Sequence, residues 1–134
     1  MIDLTRSLVK YLLADTVLAP KLGTFMGRPS VFSSEPIPEA ATSPFIVTRA
    51  ITDQTLDAKH RVVREIQQDI AIYDDDDGSP ADIETIAEYI REKLRIPFSI
   101  TNWNVCGIVV DGPILNDLDD LHGRVLTVRI TLDR

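Results

Sequence analysis

Residues 62–94 constrain this chain more than any other stretch, because a strand, a turn and a helix follow one another there without a break. From Val62 to Tyr73, Arg64, Ile66, Gln68, Ile70 and Ile72 share one side of an extended chain. Val63, Glu65, Gln67, Asp69, Ala71 and Tyr73 share the other. The first side turns apolar toward its end, and its polar start predicts an end that projects from the body or meets a partner. Four aspartates, Asp74, Asp75, Asp76 and Asp77, then turn the chain with Gly78. Ser79 suits a helix cap, Pro80 the first helical position, and Asp82 complements the exposed amides. Ile83, Ile86, Ala87, Ile90 and Leu94 form one apolar stripe, and Pro97 ends the helix. An enzyme usually sets polar catalytic groups where a strand hands over to a helix. Here stand only solvated aspartates and a helix cap.

The flanking segments complete a layered domain. Leu4, Leu8, Tyr11 and Leu12 recur at helical spacing, which predicts a first helix over 3–14 with Asp3 as its cap. Val17, Leu18 and Leu22 predict a second short turn that stops at Gly23. Between 23 and 44, Pro29, Pro36, Pro38 and Pro44 predict a long loop with at most one short edge strand near Val31 and Phe32. A loop of that length is often functional, although a surface connection packed on the sheet by Phe25 and Phe32 is the plainer reading. Residues 45–51 are a strand, and the polar run from Thr52 to Arg61 links it to the next, giving a projecting hairpin over about 45–73. Residues 103–110 read as a strand with Gly107 as a bulge, and Ile114 and Leu115 extend its pairing past the bend at Asp111, Gly112 and Pro113. Residues 124–132 alternate strictly, with Leu126, Val128, Ile130 and Leu132 on one side. The expectation is one α+β domain over 1–134: a mostly antiparallel sheet of about five strands with two helices packed on one face.

Composition excludes several functions. With 134 residues the chain can bury a core without disulfides or metal. Its net charge of −7 is the wrong sign for gripping phosphates, so nucleic-acid binding is disfavoured, while DNA sliding past without sticking is not. There is no apolar run of about 18 residues, and the N-terminus lacks the pattern of a signal peptide, so synthesis in the cytosol is the default expectation. Cys106 is the one cysteine, and its apolar neighbours Val105, Ile108, Val109 and Val110 predict a buried thiol.

Catalytic chemistry finds few footholds. His60 and His122 lie in a charged tip and a turn, with no nucleophile elbow to serve. Paired cysteines and His-Glu-x-x-His are absent. An EF-hand register that sets Gly78 sixth puts Tyr73 first, where a carboxylate is required. No Gly-rich phosphate loop is present. No catalytic, cofactor-binding or metal residue is assigned, and no cofactor is expected. Lys59, Arg61 and Arg64 form a small basic patch suited to a partner surface.

Four segments, in this order and spacing, resemble the tail terminator or tail completion proteins of long-tailed bacteriophages: Ile2 to Asp15, Pro44 to Arg49, Arg64 to Leu94 with its strand ending in Tyr73, and Leu121 to Ile130. The resemblance implies a non-enzymatic structural protein of the virion, located in the tail at its head-proximal end and assembled in the host cytoplasm. It implies a ring, usually a homohexamer, that halts tube polymerisation and offers a head-docking face. The implied partners are further copies of the chain, the tail tube protein and a head-completion or connector protein, with DNA only as transiting cargo and no membrane. On that reading Lys59, Arg61 and Arg64 are candidates for a subunit or tube interface. Asp74 to Asp77, or Asp117, Asp119 and Asp120, are candidates for the channel wall. Alternatives are a connector at the portal–tail junction, a small metal-dependent cytosolic enzyme using the acidic turns, and a generic adaptor.

Overall fold

A computed structural model describes residues 4–33, 38, 40–58, 61–75, 80–95, 100, 102–117 and 121–134. Helix α1 runs over Leu4–Leu13 and a 3-10 turn over Ala19–Lys21. Strands β1 (Thr24–Phe25), β2 (Arg28–Pro29), β3 (Val31–Phe32), β4 (Phe45–Ala58) and β5 (Arg61–Asp75) follow. Helix α2 (Pro80–Leu94), β6 (Asn104–Leu115) and β7 (Leu121–Asp133) complete the order. The two expected helix caps, Asp3 and Ser79, lie outside the described residues.

Alternation along β5 and β7 sets the architecture. Five strands pair in the order β3-β4-β5-β7-β6, antiparallel throughout except for β3, which lies parallel to β4. The even-numbered residues of the two central strands point to one side. Ile66, Ile70, Ile72, Leu126, Val128, Ile130 and Leu132 are all at most 2% exposed there. Both helices cover that side: α1 through Leu8 and Leu12 over β3 and β4, α2 through Ile83, Ile86, Ala87, Ile90 and Leu94 over β5, β7 and β6. Each such buried side chain contributes roughly 1.5–3 kcal/mol relative to exposure. Buried among them, Gln68 Nε2 donates to Thr48 Oγ1 at 2.8 Å. The fold is therefore the α+β sheet with two helices on one face that the sequence predicts.

The helices are locked to each other by a charged cluster. Asp15 accepts the Val17 and Leu18 amides at 2.8 and 2.9 Å and the Tyr89 hydroxyl at 2.8 Å, and pairs with Lys93 at 2.5 Å. Lys93 in turn lies 4.1 Å from the Tyr11 ring centre. Burial alone would push the Asp15 carboxyl up. Lys93, the two amides and Tyr89 together outweigh it and hold that carboxyl well below the usual carboxylate range. The hydrogen bond to Asp15 raises the Tyr89 hydroxyl. On Lys93, burial acts downward, but the same carboxylate carries the ammonium upward.

Four details differ from the sequence reading. The strand expected to stop at Ile51 continues to Ala58, and its ladder with β5 runs from Phe45↔Tyr73 to Ala58↔Arg61. After one irregularity between Ala50 and Thr52 the polar residues pair with β5 one by one, so the expected linker is strand. The loop over 23–44 carries β3 where an edge strand was expected, and in addition the β1–β2 hairpin. Phe25 and Phe32 do pack it down, edge to face at 5.7 Å. Cys106 is exposed, not buried. It sits at a register shift between Val105 and Gly107, where the extra residue leaves the alternation that carries Val105, Ile108 and Val110 inward. Asp74, read as a solvated turn residue, lies within β5 and is only 9% exposed. Its neighbour β7 and the cleft it shares with Asp82, Thr85 and Ile86 of α2 shield it.

Candidate functional site

Strand β5 connects the two charged regions that the sequence singles out, and it sets them apart. Its 15 residues span roughly 45 Å. At its start Arg61 pairs with Ala58, and Lys59 lies outside the described residues. Arg64 is already engaged within the chain. Its Nε donates to Asp53 Oδ1 at 2.9 Å, its second guanidinium nitrogen pairs with Oδ2, and the group lies 5.6 Å from the Trp103 ring centre. Arg134 stacks on the same ring at 4.7 Å. Arg64 therefore ties β4 and β5 to the start of β6, at the end where the apolar core gives out.

At the other end of β5 the two acidic turns come together. Asp75 stands opposite Leu121 and Asp74 opposite His122, so the end of β5 lies beside the start of β7. Asp75 is exposed, and its amide donates to Asp74 Oδ1 at 2.8 Å. Asp117 Oδ1 accepts the Gly123 amide at 2.9 Å. Asp76, Asp77, Asp119 and Asp120 lie outside the described residues. Gly123 is required here, since a Cβ would run into the Asn116 carbonyl and would press on the Tyr73 ring.

Arg124, which motif reasoning passed over, organises this end. It is 8% exposed and bonds Glu84 of α2 at 3.1 Å, Asp117 at 3.4 Å and the Gly123 carbonyl at 2.8 Å. Its signal in the sequence was parity: it shares the inward side of β7 with Leu126 and Val128.

The odd-numbered side of the sheet has no helix over it. Phe45, Val47 and Tyr73 form a small cluster there with Phe32, Ala71 and Leu121 around it. Next to it a cleft of about 280 Å³ is lined by Val47, Arg49, Asp69, Ala71, Tyr73, Val125, Ile114, Leu115 and Asn116. Ile114 and Leu115 are 59% and 65% exposed. Asn116 Nδ2 donates to the Tyr73 hydroxyl at 3.1 Å and fixes the cleft wall. Floored by strands, the cleft mixes apolar walls with Arg49, Asp69 and Asn116, and it holds no nucleophile–base pair among the described residues that line it. The groups with shifted acidity, Asp15, Tyr89 and Lys93, line neither this cleft nor the one beside Asp74. Among the described residues, no group of three or more His, Cys, Asp or Glu side chains is placed to hold a metal ion. No described helix is long and apolar enough to cross a membrane.

The fold has a solved counterpart. It is a chain in the virion of a native gene transfer agent particle. The two superpose with a TM-score of 0.69 at 18% identity, over 94% of this chain and 92% of that one. No family model matches the sequence. No curated protein matches it either. At that identity the likeness shows a shared fold over nearly the whole of both chains.

Proposed function

We propose that this chain is a structural protein of a phage or phage-like virion, and within it the tail terminator. On this reading it forms a ring on the head-proximal end of the tail tube, ends tube polymerisation and offers the face on which the head docks. The observation that carries the proposal is the near end-to-end likeness to a chain of a gene transfer agent virion. The order and spacing of the four resembling segments support the finer assignment.

The surfaces fit such a part. A ring needs two different surfaces on each copy and a rotation that closes, and β5 separates the end where Ala58 pairs with Arg61 from an end carrying Asp75 and Asp117. The acidic end suits a channel wall, since attraction to phosphate would slow DNA passing through. The tip suits contact with a neighbour or the tube. Arg64, spent on Asp53 and Trp103, orders that tip rather than reaching a partner.

Electron microscopy of the purified protein mixed with tail tubes tests the proposal. The expected result is a capping ring, about 90 kDa for six copies of the 15.0 kDa chain. Rings that bind portals and leave tubes uncapped would reassign the chain to the connector. Binding to neither would remove it from the head–tail junction. Charge reversal at Lys59 and Arg61 should leave the monomer folded and give tails of uncontrolled length.

A further inference from the structure

We draw no further inference here: the strongest candidate, the cleft between the end of β5 and the start of α2 where Asp74 and Asp82 stand, carries nothing, because this acidic pair already has Lys21 beside it and nothing else among the described residues there points to a ligand.

Discussion

On β5 and β7 adjacent residues meet opposite surroundings. Ile70, Ile72, Leu126 and Ile130 are sealed under the two helices, whereas Asp69, Ala71, Val125 and Arg129 look out from a face without a helix. The covered face is aliphatic at its centre, where Gln68 Nε2 donates to Thr48 Oγ1, and carries the buried Asp74 and Arg124 at one end. The open face mixes a small aromatic cluster with ion pairs such as Arg129–Asp111 at 3.1 Å. The covered face supplies the stability of the monomer. The open face keeps Ile114 and Leu115 exposed beside those ion pairs.

The largest test of that contrast is a pair of truncations. Ile130→Ala should lower unfolding stability by about 2–5 kcal/mol in denaturant titration, because it opens a cavity beneath α2. Ile114→Ala should change it by less than about 0.5 kcal/mol. Equal losses would erase the distinction. Arg124→Ala should fall between them, at about 1.5–3 kcal/mol, since charged hydrogen bonds to Glu84 and Asp117 go together with one to a carbonyl. A loss no larger than that of Ile114→Ala would show the acidic end to be held without it.

Acid sharpens the account of how the covering layer is attached. The Asp15 carboxyl titrates below its ordinary value in the folded chain, so its contribution is fully present above about pH 4 and fades as the pH falls below that. Asp15→Asn should cost about 1 kcal/mol at neutral pH and should flatten the decline in melting temperature on the acid side. An unchanged acid profile would mean that other carboxylates control it. The smallest effect belongs to Cys106→Ser, within about 0.5 kcal/mol, and the native thiol should react with a thiol reagent without denaturant. A thiol that reacts only on unfolding would put β6 in a different register.

The acidic turns show how far charge alone can be read. Asp74 to Asp77 and Asp117 to Asp120 are separate clusters in the chain, and nothing in their composition links them. The antiparallel pairing of β5 with β7 brings Asp74 and Asp75 to the end where Asp117 accepts the Gly123 amide, and turns Asp74 inward and Asp75 outward. Likewise Lys59, Arg61 and Arg64 read as one patch, but the register of β4 gives Arg64 a partner in Asp53, and the start of β6 gives it Trp103. Cys106 misled because local hydrophobicity carries no information about a bulge that shifts parity.

Local chemistry determined what local chemistry can. Period-two alternation fixed the inward faces of β5 and β7, and a 3.6-residue stripe between a proline-led start and Pro97 fixed α2, because both depend only on side-chain direction along a regular backbone. The helices-on-one-face architecture followed, since each apolar side needed a cover. Only the tertiary structure decided which strands are neighbours, where the sheet is left bare, and which surface residues meet across it. Those depend on pairing between segments far apart in the chain: β5 finds β7 across α2 and β6, and the cleft on the open face forms only where β4, β5, β7 and β6 stand side by side.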